Sequence, residues 1–320
     1  MQRKLTALLL ALTATACSDG VDATGSADAD RLRIAMIPKG TTHTFWNTVK
    51  EGADRAAEEL DVTLIWKGPL EENDRGQQIG VVQQFVSQGV DGILLAPLDH
   101  RALARPVQAA KDADIPVLIF DSALDGTAGE DFLAFVATDN SLGGKIAGEA
   151  LVERLGEDGK AVLLRYLVGS ASTDERETAF LEVCREAGVE VLVDNRYAGA
   201  TVGDTKTTVL NMLEPIRAAD AVFASNESAT HGMLLALRQE GLLEDLVFVG
   251  FDASPPLVEA LDAGELDALV VQDPRRMGYL AVQTMVAHLN GETVEPFVDT
   301  GVVLVTRENR GDPEIARLLE

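Results

Sequence analysis

Short apolar runs alternate with longer amphipathic stretches from Leu32 almost to the end of the chain. Several of the runs are continuous rather than alternating, which is typical of strands that are covered on both faces of a sheet. The runs occupy residues 32–37, 62–66, 92–96, 116–120, 133–137, 161–167, 189–193, 221–225, 246–251, 268–272 and 302–306. The pattern therefore predicts eleven strands of a mainly parallel α/β fold.

The stretches between the apolar runs have the spacing of amphipathic helices. In residues 45–60, apolar side chains such as Phe45, Val49, Ala53 and Leu60 recur at steps of three and four. Residues 76–89, 103–114 and 143–156 behave in the same way. Repeated strand, helix, strand order predicts parallel sheets with right-handed crossovers. Eleven strands are too many for one compact open sheet of this length, so we expect two doubly wound lobes of five or six strands.

No stretch rich in Pro, Gly or Ser interrupts this alternation. We therefore expect short strand-to-strand crossings between the lobes rather than a flexible linker. Residues 136–144, "VATDNSLGG", are the best candidate for the first crossing.

The first residues of the chain have the pattern of an export signal. Arg3 and Lys4 precede a stretch of twelve apolar or small residues, 5–16, which is too short to span a bilayer but suits a signal peptide. Small residues directly before Cys17 resemble a lipobox, although Ala14 stands where Leu is usual. One interpretation is a lipoprotein signal, residues 1–17, with Cys17 lipidated; the other is ordinary signal cleavage nearby. Both put the protein outside the cytoplasm, and the small acidic residues 18–31 would form a tether.

Composition narrows the possible partners. Apolar residues make up 46% of the chain and charged residues 25%, an ordinary globular mix. The net charge of −25 argues against nucleic acid as a partner, since nucleic-acid-binding proteins present basic surfaces. The two cysteines, Cys17 and Cys184, cannot form a disulfide framework. Cys184 has the spacing of a buried helix face, so we expect a core residue.

Polar residues follow the apolar runs at the points where ligands bind in open parallel sheets, the carboxyl ends of the strands. These residues are Lys39, Asp121, Asn226 with Glu227, Asp252 and Gln272. Carboxylates, amides and an amine suit a polyhydroxylated ligand, and the adjacent rings of Phe45 and Trp46 could stack on a sugar. Two alternatives remain open here. The aromatic pair could belong to the core, and a single Asp such as Asp252 could cap the next helix.

The chain resembles the ribose-binding group of type I periplasmic solute-binding proteins over residues 32–306. The resemblance rests on seven stretches in the order and spacing of that family. They read "FWNTVKEGA", "GVDGILLAPLD", "IPVLIFDS", "ATDNSLGGKIAGEAL", "AVFASNE", "VFVGFDASP" and "LVVQDPRRMGYLA". The resemblance implies two similar lobes. The first would comprise residues 32–138 with 273–299, and the second residues 139–272 with 300–320. Three crossings near residues 138–140, 272–273 and 299–300 would join them. Members of that family hold a solute in the cleft between the lobes and deliver it to ATP-driven importers or to chemoreceptors.

The resemblance also implies roles for particular residues. Phe45 and Trp46 would sandwich a ligand ring, Asp121 would accept hydrogen bonds from hydroxyl groups, and Arg176 would reach the ligand from the second lobe. Asn226, Asp252 and Gln272 would complete the set.

The sequence departs from the family at four positions. Ser122 stands in place of an Arg, Ala96 in place of an Asn, Lys39 in place of a small residue, and His43 in place of an Asn. We include Lys39, His43 and Ser122 among the candidate ligand-binding residues. These changes argue against ribose itself, and Lys39 with Arg176 would allow a sugar acid or a phosphorylated ligand.

Other functional classes fit less well. No Gly-x-Gly-x-x-Gly follows the first strand and no Gly-x-Ser-x-Gly is present, so the sequence does not suggest an enzyme. The four histidines are scattered, so we expect no metal site and no cofactor. A transcription regulator is disfavoured by the export signal and the acidity. We expect a monomeric binding protein for a small sugar or polyol. Its partner would be an ABC permease. The alternative is that the protein is a sensor that presents its ligand to a membrane chemoreceptor or kinase.

Overall fold

A computed structural model describes residues 31–156 and 159–319 of the chain. The signal segment, Cys17 and residues 18–30 of the expected tether lie outside the described residues. Within the described part, no helix is long and apolar enough to cross a membrane.

Each of the eleven apolar runs overlaps a strand. The strands in the described part of the chain are β1 (Arg33–Ile37), β2 (Thr63–Trp66), β3 (Gly92–Leu95), β4 (Val117–Phe120), β5 (Phe135–Ala137), β6 (Lys160–Arg165), β7 (Glu190–Tyr197), β8 (Ala221–Ala224), β9 (Val247–Phe251), β10 (Ala268–Gln272), β11 (Phe297–Asp299) and β12 (Val302–Val305). The sequence pattern missed β11. This strand has three residues and is largely exposed at a sheet edge, so it contains no apolar run.

Helices fill the stretches between the strands, as their periodicity predicts. They are α1 (Thr44–Glu59), α2 (Arg75–Gln88), α3 (Ala104–Lys111), α4 (Asn140–Leu155), α5 (Ala171–Glu186), α6 (Val202–Leu210), α7 (Leu213–Arg217), α8 (Glu227–Glu240), α9 (Pro255–Ala263), α10 (Pro274–Leu289) and α11 (Pro313–Ala316).

The described strands form two six-stranded sheets, which confirms the α/β fold of two doubly wound lobes. The first sheet has the order β11-β5-β4-β3-β1-β2 and the second has the order β12-β10-β9-β8-β6-β7. One strand pair departs from the parallel arrangement, because β12 pairs with β10 in the antiparallel direction. Only Thr300 and Gly301 separate β11 from β12, so the chain leaves the first sheet at its carboxyl edge and enters the second sheet from the side where the carboxyl ends of that sheet's other strands lie. β12 therefore runs opposite to β10.

Burial on both faces explains why the runs are continuous. In β1, Ile34 and Met36 pack into the apolar cluster on one face of the first sheet, and Ala35 and Ile37 pack into the cluster on the other. The second sheet is likewise covered by two clusters. Cys184 lies in one of them and is completely buried, as expected.

Glycines let two pairs of helices approach closely, one pair beside each sheet. A Cβ atom on Gly52 of α1 would lie 1.8 Å from the carbonyl oxygen of Arg275 in α10. A Cβ atom on Gly144 of α4 would lie 2.0 Å from the carbonyl oxygen of Arg176 in α5. The second contact matters for the site, because it fixes the backbone that carries the Arg176 side chain.

Candidate functional site

A small polar cavity lies where the carboxyl ends of strands from both sheets converge. Its volume is about 30 Å³, enough for about two water molecules. The residues that line it are Lys39, His43, Phe45, Trp46, Glu72, Asp121, Tyr166, Ser172, Thr173, Arg176, Asn226, Glu227, Asp252 and Gln272. Nine of the ten candidate ligand-binding residues are therefore brought together here.

Ser122 is the candidate that does not line the cavity. Its side chain is completely buried, and its Oγ accepts a hydrogen bond of 3.1 Å from the backbone N–H of Ser172. Ser122 follows β4 and Ser172 lies in α5, so this bond joins the two lobes. The structure therefore gives Ser122 a contact between the lobes instead of a place on the cavity wall.

Lys39 and Asp121 form a buried ion pair on one side of the cavity. Lys39 Nζ lies 3.0 Å from Asp121 Oδ2, and both side chains are nearly inaccessible to water. The same ammonium group donates to Ser172 Oγ at 3.0 Å and to Ser170 Oγ at 3.3 Å, both on the second lobe. A cation from the first lobe is thus neutralised locally and holds the second lobe close.

Asp121 and Asp252 occupy equivalent places in the two lobes. Asp121 follows β4 and Asp252 follows β9, and each of these strands is third from the corresponding edge of its sheet. Both residues have left-handed backbone conformations, with φ of 63° and 68°. This conformation is uncommon for residues other than glycine, although Asp tolerates it better than most. The turn directs a carboxylate from each sheet into the same cavity.

Asp252 is held by neighbours within its own lobe. Its Oδ1 accepts from Gln272 Nε2 at 2.6 Å, and its Oδ2 accepts from the backbone N–H of Glu227 at 3.0 Å. It does not cap the following helix, because α9 begins at Pro255 and Ser254 occupies the cap position. Asp252 is 7% exposed, and this burial raises the pKa of its carboxyl group.

Arg176 reaches the cavity from α5 as a buried cation. Its Nε donates to Asn140 Oδ1 at 2.8 Å, and one terminal nitrogen donates to the carbonyl oxygen of Ser225 at 2.9 Å. The guanidinium carbon lies 3.9 Å from the centre of the Phe251 ring. Burial lowers the pKa of Arg176, while the negative charges of Asp252 and Asp121 oppose that shift.

His43 and Trp46 meet the same carboxylate oxygen. Glu72 Oε1 lies 2.9 Å from His43 Nδ1 and accepts a 2.7 Å hydrogen bond from Trp46 Nε1. Burial of His43 opposes its protonation, but the hydrogen bond and charge of Glu72 outweigh it, so the pKa of His43 is raised. Burial of Glu72 favours its neutral form, but His43 and Lys39 outweigh it, and the pKa of Glu72 is lowered. His43 and Glu72 therefore favour their charged forms.

The aromatic pair does not form the expected sandwich. The rings of Phe45 and Trp46 are 5.0 Å apart at 85°, an edge-to-face contact, and Trp46 makes a second such contact with Phe120. Trp46 is 2% exposed and belongs to the core of the first lobe, while Phe45 is half-buried. Rings packed perpendicular to each other cannot clamp two parallel faces of one ligand.

The side-chain amides of Asn226 and Gln272 differ in whether both of their polar atoms have hydrogen-bond partners in the protein. Asn226 caps α8, with its Oδ1 accepting from the Ala229 N–H at 3.2 Å and its Nδ2 donating to Ser228 Oγ at 3.2 Å. Gln272 uses its Nε2 for Asp252, and its buried Oε1 has no hydrogen-bond partner among the described residues. Because the Nε2 must face the carboxylate, the orientation of this amide is determined by its partner.

The sequence pattern missed four lining residues: Glu72, Tyr166, Ser172 and Thr173. Glu72 lies several residues beyond β2, in a loop without periodicity. Tyr166 comes directly after β6 and is 1% exposed, so it looks like the apolar end of a strand. Ser172 and Thr173 lie in the first turn of α5. The hydroxyl group of Tyr166, within the apolar run 161–167, was the one signal that could have found any of them.

Comparison with known proteins identifies the family. A family model described as a periplasmic binding protein domain matches residues 34–293, and the chain belongs to this family of periplasmic solute-binding proteins. The chain is 30% identical to the ribose import binding protein RbsB of Escherichia coli K12, over 90% of this chain and 95% of that protein.

Solved structures of sugar-transport components have the same fold. A solute-binding protein of an ABC transporter from Agrobacterium vitis, with bound D-fucose, is 34% identical with a TM-score of 0.87, and the match covers 90% of this chain and 100% of that one. A carbohydrate transporter solute-binding protein from Agrobacterium radiobacter, in complex with D-arabinose, is 32% identical with a TM-score of 0.85, covering 91% and 99%.

Proposed function

We propose that this protein captures a small sugar or polyol between its two lobes outside the cytoplasm and delivers it to an ABC importer. The observation that carries the proposal is the convergence of hydrogen-bonding side chains from both sheets on one cavity. Lys39, Asp121 and His43 come from the first lobe, and Arg176 and Asp252 come from the second. Charged and amide groups so arranged suit a ligand that offers several hydroxyl groups.

The relatives support the ligand class. The bound D-fucose and D-arabinose of the two solved structures, and the ribose of the import protein's name, are all monosaccharides. We propose that Lys39, His43, Phe45, Trp46, Asp121, Arg176, Asn226, Asp252 and Gln272 contact the ligand, with Ser122 supporting the closed arrangement.

A thermal-shift screen tests the ligand class. The purified protein would be melted with D-ribose, D-arabinose, D-fucose, D-allose and myo-inositol, and each hit would be titrated by calorimetry. A ligand at 100 times its Kd adds about 2.7 kcal/mol of stability. No shift with any sugar or polyol would contradict the proposal.

We further propose that the lobes hinge apart to admit the ligand. A cavity of about 30 Å³ cannot take a sugar ring as it stands. The expected crossings are short, and at one of them Thr138 Oγ1 lies 3.3 Å from Thr300 Oγ1. Small-angle scattering should record a larger radius of gyration without ligand than with it. Equal radii in the two states would count against the hinge.

The partner in the membrane is the second part of the proposal. Delivery to an importer is supported by the transport proteins among the relatives. Sensing through a chemoreceptor or kinase is the alternative. Uptake of the labelled ligand by cells that lack this protein separates the two, because a transport receptor is required for uptake and a sensor is not.

We propose that Cys17 is lipidated and tethers a monomeric protein to the membrane. The support is the apolar stretch that ends in small residues directly before Cys17. Fractionation of cells that express the wild type or Cys17→Ser tests it, and release of the variant alone is the expected result. Identical soluble partitioning of both would contradict lipidation and favour simple signal cleavage.

A further inference from the structure

The cavity contains more acidic groups than basic ones. Its two permanent cations are Lys39 and Arg176, and His43 adds a third positive charge when it is protonated. Four carboxylates face them: Glu72, Asp121, Glu227 and Asp252. Even with His43 charged, one carboxylate lacks a counter-charge inside the cavity.

The cations already have partners in the protein. Lys39 is paired with Asp121, and the charged form of His43 is paired with Glu72. Arg176 is the remaining cation, and it interacts electrostatically with Asp252 as well as donating to Asn140 and Ser225. The group left over is Glu227.

Glu227 lies at the first position of α8 and is 7% exposed. Its carboxylate has no ion-pair partner within 4 Å among residues 31–156 and 159–319. Burial raises the pKa of this group and the neighbouring charge of Asp252 adds to the effect, although the charge of His43 and the Ser254 hydroxyl group oppose it. A buried carboxylate without a cation is costly, so an approaching cation would be bound favourably.

A second, independent feature points the same way. The Oε1 atom of Gln272 is a buried acceptor without a partner in the described residues, while the Nε2 of the same amide is bound to Asp252. Gln272 is 2% exposed and lines the cavity beside Asp252. Two other buried atoms without partners in the described part of the chain, Asn140 Nδ2 and Ser254 Oγ, belong to residues that do not line the cavity. On the cavity wall the unpartnered atom is the Gln272 acceptor, which requires a ligand that donates a hydrogen bond.

We propose that the ligand is an amino sugar or amino polyol whose protonated amine pairs with Glu227. The inference rests on the proposed function and specifies its ligand. A primary ammonium group offers three donors and one positive charge, which would match the carboxylate of Glu227 and leave the ligand hydroxyl groups for the rest of the cavity.

Anionic ligands are disfavoured by the same argument. The sequence suggested that Lys39 with Arg176 could accept a sugar acid or a phosphorylated sugar. In the structure Lys39 is neutralised by Asp121, and a ligand carboxylate or phosphate would add negative charge next to Glu227 and Asp252. Among ligands that share one sugar ring, we therefore expect the amino sugar to bind most tightly, the neutral sugar less tightly and the sugar acid most weakly.

Calorimetric titration at pH 7 tests this order. The neutral probes are D-glucose, D-galactose, D-allose and myo-inositol. The amines are the 2-, 3- and 6-amino-deoxy analogues of the three sugars and the amino-deoxy analogues of inositol. Glucuronic and galacturonic acids are the anionic probes. We expect at least one amine to bind ten times or more tighter than its neutral parent, and the acids to bind weaker than their parents.

Substitutions at Glu227 test whether this residue causes the preference for amines. Glu227→Gln should bring the ratio of amine affinity to parent affinity down towards one. Glu153→Gln removes the same charge from an exposed position in α4 of the same lobe and should leave the ratio unchanged. If Glu227→Gln does not fold, Glu227→Asp keeps the charge but withdraws it by one methylene group, and it should lower the ratio while leaving the affinity for the neutral parent nearly unchanged. An unchanged ratio in that variant overturns the role of Glu227.

The outcomes separate the inference from the proposed function. Neutral sugars that bind while every amine binds equally or more weakly overturn the inference and leave the sugar-binding function standing. An amine preference that Glu227→Gln does not reduce overturns the role of Glu227. Absence of binding by all sugars, polyols and amines overturns both proposals.

Discussion

Lys39 Nζ and Asp121 Oδ2 lie 3.0 Å apart with both side chains buried, and the same ammonium group donates to Ser170 and Ser172 of the other lobe. One side chain thus neutralises a carboxylate at the end of β4 and holds the second lobe over it. Ion pairs of this kind add little net stability when compared with apolar substitutes, but loss of one partner is costly.

Removal of Lys39 alone should therefore destabilise the protein strongly. We expect Lys39→Met to lower the free energy of unfolding by about 3–5 kcal/mol, because Asp121 is left buried without a counter-charge. Lys50→Met is the matched control, since Lys50 pairs with Asp54 on an exposed surface of α1 and its loss should cost no more than about 1 kcal/mol. Urea unfolding measures both, and the double variant Lys39→Met/Asp121→Asn should recover part of the loss. Equal small losses in the two single variants would contradict a buried ion pair.

Asp252 should matter for both binding and stability. The proposed ligand would donate two charge-assisted hydrogen bonds to Asp252, worth about 1.5–3 kcal/mol each, so Asp252→Ala should lower the affinity by about two to four orders of magnitude. Because Gln272 and the Glu227 N–H also lose their acceptor, the unliganded protein should lose about 1–3 kcal/mol of stability. Calorimetric titration and thermal melts measure these effects, with the exposed Asp245→Ala as control. Normal affinity in Asp252→Ala would remove Asp252 from the ligand site.

Glu177 should make stability depend on pH. This buried residue of α5 accepts from the Tyr166 N–H and from Ser225 Oγ and pairs with Arg165, yet burial raises its pKa to about 7. Between pH 4.5 and 7 the folded protein then holds more protons than the unfolded chain at this position, so stability falls as the pH rises through that window. The cost at Glu177 above pH 7 is about 3 kcal/mol.

Glu177→Gln tests this sign. The variant cannot ionise, so its free energy of unfolding should gain on the wild type as the pH rises from 4.5 to 7.5. Urea unfolding at several pH values gives the difference. Glu182→Gln changes an exposed residue of the same helix and should track the wild type. A difference between Glu177→Gln and wild type that stays constant with pH would contradict the raised pKa.

Gly144 should be intolerant of a side chain. A Cβ atom there would lie 2.0 Å from the carbonyl oxygen of Arg176, so Gly144→Ala must push α5 away from α4. We expect a loss of about 1–3 kcal/mol of stability together with weaker ligand binding, because Arg176 moves with the helix. Gly80→Ala in α2 meets nothing within 4 Å and should stabilise the protein by up to about 1 kcal/mol. Thermal melts that rank the two variants in the opposite order would contradict the close helix contact.

Cys184 should react with thiol reagents only when the protein unfolds. Its side chain is completely buried, and burial raises its pKa to about 12, so the reactive thiolate is scarce. In the Cys17→Ser variant this is the remaining thiol. Reaction with a chromogenic disulfide at pH 8 should be slow in buffer and fast in concentrated urea. Fast labelling in buffer would mean that the second lobe opens locally.

The strands were predictable because each sheet is covered on both faces. Residues 34–37 alternate between two apolar clusters, and such burial leaves a continuous apolar run that can be recognised without a structure. The polar ends of those runs were predictable for a related reason. A charged residue such as Asp121 or Asp252 directly after a buried strand has to lie where the sheet opens, and the order of the strands puts those openings at one cavity.

Only the tertiary structure decided how the polar groups are paired. Glu72 comes from a loop without periodicity, and its contacts with His43 and Trp46 depend on how that loop folds back over α1. The pairing of Lys39 with Asp121 joins residues 82 positions apart in the chain, and their charges cancel only because β1 and β4, on either side of β3, end at the same edge of the first sheet. The sequence determined which strands end at the cavity, because burial periodicity is local. The electrostatic balance inside the cavity depends on distances of a few ångströms between separate segments, and no local pattern contains them.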